Sequence, residues 1–164
     1  MPCLLVNSTD FKWHILCENY FTMKKISLNI DSNPETLDLA DECIRALCFL
    51  TPLSSVEVDG VRQAVKEALN NVIIHSYQGQ INCLIDLIVS FQDNDLVISI
   101  QDTGIGMDPK LLEMDRSAVV EIDPSNIEQI PNGGWGLYLI QELMDGISYS
   151  TKAGIHTLEM KKKF

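Results

Sequence analysis

Residues 81–102 read INCLIDLIVSFQDNDLVISIQD, and this stretch decides the fold. It holds two apolar runs, residues 81–91 and 96–101, with Asp93-Asn94-Asp95 between them. Short runs rich in Ile, Leu and Val read as strands. Asp and Asn favour a turn because their side chains bond the nearby backbone. Three residues cannot carry a helical crossover, so the two strands form a hairpin.

The same arrangement closes the chain, where residues 147–151 and 156–160 are apolar strands joined by Lys152-Ala153-Gly154. Near the start, residues 26–30 alternate apolar and polar as a half-buried strand does. Ser32-Asn33-Pro34-Glu35 opens a helix to about residue 49, with Leu37, Ala40, Ile44, Leu47 and Cys48 on one face. A second helix is expected over residues 55–77, with Val61, Val65, Ala68, Leu69, Val72 and Ile73 inward, ended by Gln78-Gly79. A third is expected over residues 137–144. Strands gathered in hairpins predict an α+β fold: a two-layer sandwich with helices on one face of a mixed, mainly antiparallel sheet. A doubly wound parallel sheet would need helices between its strands.

A chain of 164 residues is one domain's worth, and 46% apolar with 21% charged residues is ordinary globular composition. Residues 1–22 show no clear period and are expected to form an N-terminal extension, leaving residues 23–164 as the domain. The weakly periodic stretch at about residues 107–132 is expected to be a lid. The net charge of −11 speaks against direct nucleic-acid binding. It does not exclude a nucleotide, whose phosphates backbone amides and Mg²⁺ can hold. Five cysteines without a CxxC pair suit a reducing compartment. No apolar run approaches the ~18 residues of a membrane span, and a soluble, cytoplasmic protein is expected.

Three constellations could carry chemistry. In Glu67-Ala68-Leu69-Asn70-Asn71, the acid and Asn71 are four apart on one helix face. They could be a carboxylate base beside an oxygen ligand for Mg²⁺, or a surface face with ordinary i,i+4 bonding. Asp102-Thr103-Gly104-Ile105-Gly106 places an acid where a strand leaves the sheet, followed by Gly-x-Gly. The acid could accept a hydrogen bond from an exocyclic amine, or the segment could be a plain strand-end turn. Gly133-Gly134-Trp135-Gly136 precedes the third helix. It could present amides to phosphate, or serve as a hinge. No Walker lysine follows it. His75 reads as a helix-end residue, and Trp135 as packed against the lid base.

In this order and spacing, the three constellations resemble the N box and the glycine boxes of the GHKL ATP-binding superfamily, over roughly residues 23–164. Glu67-Ala-Leu-x-Asn71 with His75-x-Tyr77, and Gly133-Gly134-Trp135-Gly136-Leu137-Tyr138-Leu139-Ile140 with Leu143-Met144-Asp145 and Tyr149, resemble the RsbW-like anti-sigma factor serine/threonine kinases. The ending, Gly154 to Lys161, is also similar, although His156 stands where Asn or Thr is more usual.

The resemblance implies a cytoplasmic kinase using ATP and Mg²⁺, with Glu67 catalytic and Asn71 the Mg²⁺ ligand. It implies ATP contacts at Asn70, Asn71, Asp102, Gly104, Gly106, Gly133, Gly134, Gly136 and Leu137, with Arg116 or Lys110 as cations for the phosphates. Its partners would be an anti-anti-sigma STAS-domain protein, a sigma factor and a second copy of the chain. The rival reading is a nucleotide-dependent binding module with no significant phosphotransfer.

Overall fold

The computed structural model describes residues 25–92, 94–112 and 135–164. Its strands are β1 (Ile26–Asp31), β2 (Leu84–Gln92), β3 (Asp95–Asp102), β4 (Gly146–Lys152) and β5 (Ile155–Lys163). Its α-helices are α1 (Pro34–Cys48), α2 (Ser55–Asn71) and α3 (Trp135–Leu143). The strands form one open sheet in the order β1-β2-β3-β5-β4. All four pairings are antiparallel, so the sheet is more uniform than the mixed one expected.

The register explains how one face becomes the core. Leu28, Leu87, Ile100, Leu158 and Tyr149 stand opposite one another across the five strands. Ile26, Val89, Ile98, Met160 and Ile147 form the parallel row. Side chains alternate along a strand, so both rows point to the same face. Ile85, Leu87, Val89, Ile98 and Met160 are fully buried there, in one cluster with Leu37, Ala40 and Ile44 of α1, Val61, Val65 and Leu69 of α2, and Ile140 of α3. The intervening row, Ser27, Ile88, Ser99, Glu159 and Ser148, lies on the opposite face.

Local chemistry sets the helix ends. Ser54 caps α2: its side chain accepts from the Glu57 amide, and the Glu57 carboxylate accepts from the Ser54 amide at 2.8 Å. Such a reciprocal cap satisfies two otherwise orphaned donors. At α1, Asp31 performs the corresponding task from two residues upstream, accepting from the Asn33 amide at 3.2 Å and from the Thr36 hydroxyl.

Several expected boundaries shift. The second helix is α-helical only to Asn71; Val72–Ser76 form a π turn, with the Tyr77 amide bonded to the Val72 carbonyl at 2.8 Å. β2 begins at Leu84 rather than at residue 81, because the Cys83 amide and carbonyl are both taken by Ser32. The third helix is described from Trp135, which puts Gly136, expected before it, inside it. The start of the expected lid holds a 3-10 turn, Pro109–Leu112, that carries Lys110. The expected extension (residues 1–22), lid residues 113–132, Arg116, Gly133, Gly134 and the Trp135 side chain lie outside the described residues. Cys43, Cys48 and Cys83 are free thiols, and burial pushes Cys48 up to about 11, which keeps it unreactive at neutral pH.

Candidate nucleotide site

The site is built around α2 and the π turn that continues it. Glu67 and Asn71 are half-buried on the α2 face that meets α3. The Gln63 side chain, one turn earlier, donates to Oε1 of Glu67 at 3.1 Å. On the other side stands Gly136, in the first turn of α3. A Cβ added there would lie 2.8 Å from Oε2 of Glu67 and 3.6 Å from both side-chain terminal atoms of Asn71. A glycine is therefore what lets the start of α3 approach the acid and the amide this closely. The positive end of a helix dipole also favours a carboxylate at that place. Gly60 plays a similar part further along, where a Cβ would be 3.3 Å from Cδ2 of Leu143.

The second half of the site is the end of β3. Asp102 is 6% exposed. Its Oδ1 accepts from the Ser76 hydroxyl and from the Gly104 amide at 2.9 Å. A buried carboxylate needs such donors, since leaving it unpaired would cost several kcal/mol. The turn after it is held from both sides. Ser76 takes the Ile105 amide on its carbonyl and the Gly106 amide on its hydroxyl, each at 2.9 Å. From the sheet side, Nε2 of His156 faces the Gly104 carbonyl at 3.1 Å.

A carbonyl can only accept, so His156 carries a proton on Nε2. Its Nδ1 lies 3.0 Å from the Tyr149 hydroxyl and 2.9 Å from that of Thr151. Tyr149 in turn accepts from the Met107 amide at 2.9 Å and stacks on the imidazole. Register makes this cluster possible: Asp102, His156 and Thr151 stand in one cross-strand row.

The glycines of the turn fit these neighbours. A Cβ at Gly104 would fall on the carbonyl of Ser76. Gly106 has φ +73°, a backbone region that side chains rarely enter, and a Cβ there would meet His156 and Tyr149.

Of the residues singled out in the sequence, Glu67, Asn71 and Gly136 therefore come together, and so do Asp102, Gly104 and Gly106. The π turn from Val72 to Ser76 connects the two groups. Asn70 is half-buried beside Asn71. The Leu137 side chain belongs to the core, so a ligand could reach only its backbone. His75 sits in the π turn, exposed, as a helix-end residue should.

Sequence reasoning missed Ser76, Thr151 and His156 as holders of the glycine turn, and gave Tyr149 no role. The available signal was the hydroxyl-bearing run Ser148-Tyr149-Ser150-Thr151 in β4, which means nothing until the register is known, and Ser76 carried none. Among the described residues, no group of three or more His, Cys, Asp or Glu stands together as a metal site. No described helix is long and apolar enough to cross a membrane.

Comparison with known proteins gives the family and the fold. The family model "Histidine kinase-like ATPase domain" matches residues 30–162. The chain is 27% identical over 139 residues to the serine-protein kinase RsbW of Bacillus cereus, covering 84% of each chain. It is 23% identical over 136 residues to that of Oceanobacillus iheyensis, covering 83% of this chain and 85% of the relative. It is 31% identical over 109 residues to the anti-sigma F factor of Clostridium acetobutylicum, covering 66% of this chain and 71% of the relative. Among solved structures, a chain of the SiaB–SiaC complex of Pseudomonas aeruginosa shares the fold with a TM-score of 0.65 at 11% identity, covering 90% of this chain and 95% of that one.

Proposed function

The chain belongs to the histidine kinase-like ATPase domain family, and from that membership we propose that it is an ATP-dependent protein serine/threonine kinase of the anti-sigma type. It would act in the cytoplasm, phosphorylate a STAS-domain anti-anti-sigma protein, and sequester a sigma factor when that partner does not hold it. The relatives named serine-protein kinase RsbW and anti-sigma F factor support the reading.

The observation that carries it is the meeting of Glu67 and Asn71 with Gly136, one π turn away from the buried Asp102. In this reading Asp102 accepts a hydrogen bond from the exocyclic amine of adenine. Both bonds it makes among the described residues fall on Oδ1, which leaves Oδ2 for the base. Gly104 and Gly106 shape the turn that the base rests against. Glu67 polarises the attacking hydroxyl of the partner's Ser or Thr. The backbone at the start of α3 approaches the phosphates.

The donor set fits Mg²⁺ arriving with a nucleotide. That ion prefers oxygen and commonly takes only one or two protein ligands, the rest coming from phosphate and water. The Asn71 amide oxygen would supply one such ligand. Mg²⁺ bound there would neutralise phosphate charge. Arg116, Gly133 and Gly134 keep the phosphate-binding roles that the resemblance implies.

Affinity capture from the native lysate, with MgATP and with MgADP, followed by phosphosite mass spectrometry, tests the kinase. The expected result is a small STAS-type protein that gains phosphoserine or phosphothreonine only with ATP. A partner whose binding follows the nucleotide but which gains no phosphate would favour the binding-module reading.

A further inference from the structure

Ser76 closes the π turn and is only 6% exposed. Its hydroxyl bonds both Oδ1 of Asp102 and the Gly106 amide, the latter at 2.9 Å. A hydroxyl has a single proton, and an amide N–H can only donate. Gly106 therefore occupies a lone pair of Oγ, and the Ser76 proton is committed to Asp102. With the Gly104 amide at 2.9 Å, Oδ1 of Asp102 receives two donors. The carboxylate cannot turn about its Cβ–Cγ bond without giving up both. Gly104 is what admits Ser76 to this place, since a Cβ there would collide with the Ser76 carbonyl and hydroxyl.

We propose that Ser76 is a positioning residue for base recognition: it locks Asp102 so that Oδ2 faces the ligand, and thereby sets the preference for a purine bearing a 6-amino group over one bearing a 6-oxo group. The inference rests on the reading of Asp102 as the acceptor for the base. It adds a residue from the helix that carries Glu67 and Asn71, so the phosphate half and the base half of the site share one rigid element. Without the Ser76 hydroxyl, Asp102 keeps the Gly104 amide alone and can rotate, and the Gly106 amide loses its acceptor.

The test is the affinity of wild type, Ser76→Ala and Ser76→Cys for ATP and for ITP, each measured by titration. ITP carries an oxo group where ATP carries the amine. Wild type is expected to favour ATP by about tenfold or more, as a site built to accept from an amine should. In Ser76→Ala the ATP affinity should fall about tenfold while ITP changes less than about twofold. Ser76→Cys keeps the volume but offers only a weak donor, and its preference should lie between the two.

The ratio of two affinities on one preparation is independent of the folded fraction, so a loss of stability cannot imitate the result. A wild-type preference that survives unchanged in Ser76→Ala or Ser76→Cys overturns the inference and leaves the Asp102 reading standing. A wild type that binds ATP and ITP alike removes the Asp102 reading, and this inference with it.

Discussion

Gly136 faces Glu67 so closely that a Cβ on it would stand 2.8 Å from the carboxylate Oε2. The atom in the way is the tip of a flexible side chain, not backbone. Gly136→Ala should therefore fold. Ala is also the better helix former, by up to about 1 kcal/mol and by less in a first turn, which offsets part of the repacking. The carboxylate, however, must swing away from its place beside Asn71. The expected outcome is a melting temperature close to that of wild type together with a loss of phosphotransfer of tenfold or more, since small misplacements of a reacting group are expensive. Thermal melts and a phosphate-release or transfer assay on one preparation check both halves.

Glu67→Gln separates binding from chemistry. The variant keeps the size of the side chain and an oxygen for the Gln63 donor, so ATP affinity should stay within about threefold of wild type. Transfer should fall by about 10²–10⁴, the usual contribution of a positioned base. Nucleotide titration beside a single-turnover transfer assay reads the two effects. A Glu67→Gln chain that still phosphorylates its partner at the wild-type rate would take the base role from Glu67.

Asp41 and Arg62 tie α1 to α2 through two bonds, Nε to Oδ1 at 2.9 Å and Nη2 to Oδ2 at 2.6 Å. The Arg62 hydrogen bond holds the Asp41 carboxyl below its ordinary value of 3.8, against the opposing effect of burial. A folded state with a depressed carboxyl value gains stability from the ionised form. That contribution is complete above 3.8 and disappears as pH falls through the lower folded value. Asp41→Asn should cost about 1 kcal/mol at neutral pH. Melts of both chains at stepped pH should show the gap closing only on the acid side. A gap of constant size down to the acid limit would contradict the pairing.

Much of this was legible in the sequence where a period carries the information. Val61, Val65, Ala68, Leu69, Val72 and Ile73 were expected inward on one helix, and all are buried. The hairpin of β2 and β3 follows from two apolar runs around a turn. The close approach that joins Glu67, Asn71 and Gly136 was not legible: the glycine was read as an amide donor to phosphate or as a hinge, and its place beside the acid depends on how α2 and α3 pack.

The clamp around Asp102 was not legible. Ser76 reaches Asp102 because the last turn of the helix widens from α to π, and nothing in Val72-Ile73-Ile74-His75-Ser76 announces that change. His156 reaches Gly104 because it pairs with Asp102 in the β3–β5 register. Register depends on how whole strands pack, and a single sequence leaves it open. Gly136 was read as loop because glycine is a poor helix former, whereas it lies inside α3, where its lack of a side chain admits Glu67.

The most direct measurement is an equilibrium titration of wild type and Asp102→Asn with ATP in the presence of Mg²⁺. Wild type should bind one nucleotide saturably. Asp102→Asn should bind about 10–100-fold more weakly, the loss expected when a charged hydrogen bond in a buried pocket is replaced by a neutral side chain that turns a donor toward the amine. Equal affinity in the two chains, or no saturable binding by wild type, would contradict the assignment of this site to ATP.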